Sequence, residues 1–458
     1  MDKSTAKPLR AAQAQVSAPE ITVHALYRSA IGIDVHLNLL VCCHQTQLDD
    51  HQELSEIVEF NTDRSSLDKF AAWCRERDPS IILMESTGVL WISPYEALEN
   101  VGFGSDRLAL INARDAKAAV GRKTDRKDAS RLAELARSGH FRRSFVPPKD
   151  FRIQRFISRE YQKIKSELSV AKNRHQKLLN STGCRASIVF SDVHGKAASA
   201  ILEAKINNDP QLSKIISANC GRLRATPEMI EDALNFEIEP LVAEQLRRSS
   251  EHLKELHQYA ENTFNRLRKL QQPYEAQIKL LRTIPGVQEI SARLIFAELC
   301  GNLKDYFVDS EHFTSWLGIC PGDNTSAGKQ KSGSCPKGNK WLRRTLVECV
   351  RGYSLSGRCP SKEKFQALKL RRGYKRAVVA MAHLLARIVY SVLLNNKAFE
   401  PQETNAHRDA VVVRILSALK EAKRFPKSGI GIVDGRYLMV ESTGAIIADL
   451  YGIGIKPV

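Results

Sequence analysis

Between Ile31 and Ser138, short apolar runs rich in β-branched residues alternate with stretches of helical spacing, in an order that few folds accept. Three strand-like runs come first, Ile31–Asp34, Leu39–His44 and Ile57–Phe60. A helical stretch, Ser66–Arg77, then leads to the apolar run Ile81–Met84 and a second helix, Pro94–Val101. Leu108–Ile111 reads as a further strand, and Asp125–Ser138 carries the apolar spacing of a helix.

Three strands, helix, strand, helix, strand, helix is the order of a ribonuclease-H-like α/β fold. It predicts that the first and fourth strands are parallel neighbours. Asp34 ends the first of these and Glu85 follows the fourth, so both fall at the strand ends where open α/β sheets place their ligands. Asp125 and Asp128 are three apart and share one face of their helix. Four carboxylates meeting there are suited to two magnesium ions about 4 Å apart, clamping the attacking and leaving oxygens of a phosphodiester. A plainer reading exists for each. Asp125 and Asp128 stand among Arg122, Lys123, Arg126 and Lys127 and could be solvated ion-pair partners, and an Asp after a strand is often a turn residue.

The rest of the chain follows another period. Ile157, Tyr161, Ile164, Leu168, Ala171, His175 and Leu178 alternate at spacings of four and three, as do Val242, Leu246, Ser249, Leu253, Leu256, Ala260, Thr263, Leu267 and Leu270. This predicts two long helices with a coiled-coil seam and a helical insertion over 182–240. They serve either as a spacer or for oligomerisation. Thr283-Ile-Pro-Gly-Val287 lies between helical stretches and resembles a helix-hairpin-helix. It reads either as a phosphate-holding turn or as a purely structural one, since Gln288 replaces the usual second glycine. A basic helix over Lys340–Tyr353 and an apolar helix near 377–394 follow. The expected divisions are a flexible extension over 1–27, an α/β domain over 28–150, a coiled-coil region with its insertion over 151–279, a mainly α domain over 280–400, and a tail over 401–458 with a helix from about Arg408 and a short β-like end.

Between Asp323 and Gly338 lie Ser326, Ser332 and Ser334, three glycines, and Lys329, Lys331 and Lys337. On its own residues this is a flexible, basic, phosphate-gripping loop. A serine hydroxyl becomes a nucleophile only where its deprotonation is assisted. Lys340, Arg343 and Arg344 stand ready either for backbone phosphates or for ordinary helix solvation.

Composition narrows the partners. Lys plus Arg number 69 against 51 Asp plus Glu, a formal charge of +18, which favours a polyanion through release of its counterions. The ten cysteines form no C-x-x-C pair, which speaks for a reducing cytoplasm and against a zinc site or a disulfide framework. The first residues lack the apolar core of a signal peptide. The stretch Ala377–Leu394 is interrupted by His383 and Arg387, so it is expected to be a buried helix, with no membrane partner.

Ile31-Gly-Ile-Asp34, Glu85-Ser-Thr-Gly88, Gly121-Arg-Lys-Thr-Asp-Arg-Lys-Asp-Ala129 and Ser144-Phe-Val-Pro-Pro148 resemble the DEDD transposases of bacterial insertion sequences. So do Thr283-Ile-Pro-Gly286, Ser315-Trp-Leu-Gly-Ile-Cys-Pro-Gly322, Ser326-Ala-Gly-Lys329 and Lys337-Gly-Asn-Lys-Trp-Leu-Arg343. The resemblance runs over roughly residues 30–400 and includes relatives that invert pilin genes. It implies a Holliday-junction-resolvase-like nuclease domain joined to a second domain with a nucleophilic serine. It further implies donor and target DNA as substrates, a structured bridge RNA as guide, and dimers that join into tetramers with composite sites across subunits. Residue by residue, Asp34, Glu85, Asp125 and Asp128 fall on the metal-binding tetrad and Ser326 on the nucleophile. His36 departs from the pattern, standing where a small residue or lysine is common. Two rivals remain open: a junction-resolvase-like nuclease in which water attacks, and a non-catalytic nucleic-acid-binding protein.

Overall fold

The computed structural model describes residues 25–47, 53–85, 88–112, 124–299, 303–321, 324–326, 329–332, 334–355, 361–400, 428–433, 436–441 and 446–449. Arg122, Lys123 and the helix expected from about Arg408 lie outside the described residues. The chain divides into two compact units, Met1–Pro147 and Pro148–Val458.

The first unit is a five-stranded sheet in the order β3-β2-β1-β4-β5. β1 (Ser29–Val35), β2 (Leu39–Gln47) and β3 (Glu53–Asn61) are antiparallel, while β4 (Ile81–Glu85) and β5 (Leu108–Ile111) run parallel to β1. Alternation sorts the side chains into two cores. Ile31, Ile33, Ile82, Met84, Leu108 and Leu110 pack with Leu67 and Phe70 of α1 (Arg64–Arg77) and Leu98 of α2 (Ile92–Asn100). Ala30, Ile81, Leu83, Ala109 and Ile111 face the other way, onto Leu132 and Ala136 of α3 (Asp125–Ser138). Asp63 caps α1 by accepting from the Ser66 amide at 3.1 Å, and Thr124 caps α3 through the Lys127 amide. Gly139, in the left-handed conformation, ends α3.

Two long helices, α4 (Lys149–Ser181) and α9 (Pro240–Leu270), open the second unit and pack antiparallel. The Tyr161 and Phe264 rings lie 5.3 Å apart, and Gln271 Nε2 donates to Gln154 Oε1 at 3.3 Å. Their shared core is Tyr161, Ile164 and Leu168 against Leu253, Leu256, Ala260, Phe264 and Leu267. These are largely the positions of four-and-three spacing. Leu270, at the very end of α9, is exposed instead. Between the helices, α5 (Ala186–Val189), α6 (Lys196–Ile206), α7 (Leu212–Asn219) and α8 (Pro227–Ala233) gather around Ile201, Ile216, Ile230 and Leu246.

Beyond them lie α10 (Glu275–Arg282), α11 (Glu289–Leu299), α12 (Ser310–Trp316), the hairpin β6 (Asn324–Ser326) and β7 (Lys329–Ser332), α13 (Lys340–Leu355), α14 (Lys362–Arg372) and α15 (Tyr374–Asn395). Gly286, at φ +81°, sits so close to the backbone of Cys349 and Tyr353 in α13 that a Cβ there would collide with it. The turn after α10 is therefore seated on a helix. Among the described residues α15 alone is long and apolar enough to cross a membrane, and half of its apolar stretch is buried in the protein. Its Tyr390 hydroxyl donates to the Phe307 carbonyl at 2.9 Å. The β-like end is a three-stranded antiparallel sheet of β8 (Ser428–Val433), β9 (Arg436–Glu441) and β10 (Ile446–Asp449).

Candidate metal centre and serine hairpin

The first unit gathers its acidic groups on the α3 side of the sheet. Asp34 has the same parity as Ala30 along β1, and Glu85 the same parity as Ile81 and Leu83 along β4. Met84 pairs with Ile33, so Glu85 comes one step on, abreast of Asp34. What brings the helix to them is Gly32. A Cβ at Gly32 would fall within the backbone of Ala129, Leu132 and Ala133, so only glycine lets α3 lie this close. The first turn of α3, with Asp125 and Asp128, then stands over the end of β1. Negative charge at a helix N-terminus is favoured by the helix dipole.

Ligand atoms of Asp34, His36 and Asp125 all lie within 4.8 Å of one another. His36 Nε2 is 3.1 Å from Asp34 Oδ2 and 3.6 Å from Asp125 Oδ1. Asp34 is 7% exposed, and burial raises its pKa. His36 opposes that rise, while Asp125 and Asp128 add to it by repulsion. Carboxylates that repel a buried Asp34 are what a divalent cation relieves, and this set of hard oxygen donors, with Asp125 at its exposed edge, fits one. Glu85 stands abreast of the group without joining the cluster of three. Of the basic neighbours, one pairs outside the carboxylate set and one pairs with it. Arg126 donates to Glu59 Oε1 on β3 at 2.9 Å, and Arg131 is 3.8 Å from Asp128. His36, read in the sequence only as a departure, was the member missed. Its place two residues after Asp34, on the same side of an extended strand, was the available signal.

The serine hairpin belongs to the second unit. β6 and β7 pair antiparallel with Ser326 opposite Lys329, so the backbone sets these two abreast across a two-residue connection. Lys331 lies further along β7. The base of the loop is closed by glycines. At Gly318 (φ +69°) a Cβ would meet the backbone of Pro336 and Gly338, and at Gly338 it would meet Leu317 and Gly318. Two chain segments thus cross with no side chain between them. Lys337 and Lys340 are exposed beside this crossing. Arg343 Nη1 donates to the Gly318 carbonyl at 3.3 Å, and Arg344 Nη1 donates to Ser166 Oγ of α4 at 2.7 Å. Both arginines therefore hold protein.

Asn339 ties the hairpin to the unit's framework. Its Oδ1 accepts from the Trp341 and Leu342 amides at 3.1 Å, capping α13. Its Nδ2 donates to Glu298 Oε2 at 2.7 Å. Glu298 is fully buried and also receives Arg159 Nε at 2.7 Å and Nη2 at 2.9 Å. Arg155 Nε stands 3.2 Å from the same carboxylate. A buried carboxylate thus joins α4, α11 and the start of α13.

Residues 31–183 match a family model described as a transposase, and residues 278–366 match one described as the transposase IS116/IS110/IS902 family. Together the matches cover more than half of the chain. A Pseudomonas aeruginosa protein named "Probable family 20 transposase" is 28% identical over 197 residues, which is 41% of this chain and 56% of that protein. The transposase for insertion sequence element IS1328 of Yersinia enterocolitica is 31% identical over 185 residues, 39% of this chain and 52% of that protein. The aligned part of this chain thus spans about half the length of these relatives.

Proposed function

The chain belongs to the transposase IS116/IS110/IS902 family, and on that premise we propose that it is an insertion-sequence transposase or site-specific recombinase that cuts and rejoins DNA. The observation that carries this reading is the meeting of Asp34, Asp125 and His36 at the end of β1, with Glu85 abreast and Asp128 close enough to perturb Asp34. We read the sheet and its helices as a ribonuclease-H-like nuclease domain, with Asp34, Glu85, Asp125 and Asp128 as ligands for two magnesium ions. When bound, those ions supply charge stabilisation for the attacking and leaving oxygens of a phosphodiester.

Ser326 is the proposed nucleophile. Its Oγ forms a bond to a DNA phosphorus as the bond to the departing strand's oxygen breaks. The hydroxyl proton passes to a neighbouring base or to solvent, and the departing oxygen takes one up. One phosphoester replaces another, so bond energy is kept for religation. Arg122, Lys123, Lys329, Lys331, Lys337 and Lys340 neutralise backbone phosphates and give affinity without sequence information. Arg343 and Arg344 join them through the guanidinium N–H groups not given to Gly318 and Ser166. A bridge RNA paired with donor and target DNA is the proposed guide, supported by the charge of +18. Dimers joining into tetramers in the cytoplasm are the proposed working form.

The test is a denaturing gel of labelled supercoiled or duplex DNA incubated with magnesium, with and without protease treatment. A protease-sensitive shifted band is expected from the unaltered protein, from Ser332→Ala and from Ser334→Ala, and none from Ser326→Ala. Nicking by Ser326→Ala, with no shifted band from any of these proteins, would replace the serine mechanism with attack by water. Absence of cleavage by every protein with every competent substrate would leave only nucleic-acid binding.

A further inference from the structure

Resting on the reading of Asp34, Glu85, Asp125 and Asp128 as a metal centre, we infer that His36 is a nitrogen ligand of that centre. It shifts the preference of the centre from magnesium toward a transition-metal dication such as manganese. His36 is the residue directly after β1, and its amide donates to the Leu39 carbonyl at 2.9 Å, which fixes it in the turn to β2. Strand alternation puts it on the side of Asp34, and α3 brings Asp125 to that side. Neighbouring ligand atoms around an octahedral ion with bonds of about 2.1 Å lie roughly 3 Å apart. His36 Nε2 stands 3.1 Å from Asp34 Oδ2 and 3.6 Å from Asp125 Oδ1, the spacing of donors that share one ion.

The chemistry of the donor decides the consequence. Carboxylates and water suit magnesium and manganese alike, whereas imidazole is at its best with later transition metals. Of these two ions it adds more for manganese, a transition metal, than for magnesium. With His36 in place, Asp34, Asp125 and His36 would hold one ion through two carboxylates and one imidazole. The selectivity belongs to this chain's own sequence and follows from one residue.

The experiment titrates the full-length chain with manganese and with magnesium by calorimetry. It also records electron spin-echo spectra of the manganese-loaded protein, in which a directly bound imidazole gives a nitrogen-14 modulation. The unaltered protein is expected to show that modulation and His36→Ala to lose it. The ratio of manganese to magnesium affinity is expected to fall at least about tenfold in His36→Ala, the scale on which metal sites respond to lost support. Bound manganese without nitrogen modulation in the unaltered protein, or an unchanged ratio in His36→Ala, overturns the inference. In that case His36 only hydrogen-bonds Asp34, and the carboxylate reading stands. If neither ion binds the unaltered protein, or Asp34→Ala binds both as well, the metal-centre reading falls and takes this inference with it.

Discussion

Gly32 shows how a residue without a side chain can place a site. The sequence named Asp34, Asp125 and Asp128 from their positions on a strand end and a helix face, and these were legible because local period fixes direction. The contact that unites them was not legible, since it depends on how closely α3 lies on β1. Gly32 sets that distance by admitting the backbone of Ala129, Leu132 and Ala133. Gly32→Val is therefore expected to lift α3 from the sheet, costing about 1–3 kcal/mol from overpacking alone. Because Asp125 and Asp128 ride on the same helix, divalent-ion binding should weaken along with stability. A urea melt paired with a manganese titration checks both. A variant that binds manganese unchanged would show that the position of α3 is not set at Gly32. The place of His36 two residues after Asp34 was legible, but its contact with the helix was hidden for the same reason as that of Gly32. Its partner Asp125 is far along the chain, and only the packed helix brings the two together.

Strands and helices were legible where side chains hold them and less so where pairing does. β2 continues past His44 to Gln47 and β3 begins at Glu53, because those polar residues are held by the register Gln47↔Glu53 and Thr46↔Leu54 and not by an apolar run. The helix expected from Pro94 starts at Ile92, since proline fits within a first helical turn. Missed altogether was Glu298, which looks like any polar residue on a helix and is the buried junction of α4, α11 and α13. Glu298→Ala leaves Arg155 and Arg159 without their carboxylate and Asn339 without its acceptor. A loss of about 3–5 kcal/mol is expected, the scale for breaking a buried pair from one side. The unfolding transition of the second unit reports it, and a loss under 1 kcal/mol would mean that water replaces the carboxylate. His175 on α4 gives a pH dependence. It is 4% exposed, and burial and then His194 lower its pKa from 6.5 to about 4. The unfolded chain binds this proton more readily, so stability is full above 6.5 and falls as pH drops toward 4. The decline amounts to up to about 3 kcal/mol for this group. Denaturation midpoints measured across that window should flatten in His175→Phe. His194, whose pKa is also lowered, leaves a smaller slope of the same sign.

For the whole molecule the decisive fact is that the carboxylates and Ser326 belong to different compact units. The sequence separated the two segments but could not say whether one chain unites its own carboxylates with its own serine. The resemblance to DEDD transposases implies composite sites across subunits, and the division proposed is that one subunit supplies the tetrad and another the serine. Closed symmetric oligomers make such an exchange reciprocal, so each dimer would hold two sites of identical make-up. This gives a prediction that needs no distance between the units. On the proposed reading, Asp34→Ala alone would lack a metal ligand in every site and Ser326→Ala alone a nucleophile in every site, so neither is expected to form a covalent DNA adduct. In a mixed dimer with composite sites, one site receives both lesions and the other receives neither, and that second site is intact. In a mixed dimer whose sites form within single chains, each site carries one lesion and both are dead. Co-refolded or co-expressed Asp34→Ala and Ser326→Ala proteins, carrying different tags and purified through both, are therefore expected to regain part of the protease-sensitive band that neither forms alone. A doubly tagged dimer that binds DNA yet yields no adduct would assign each site to one chain.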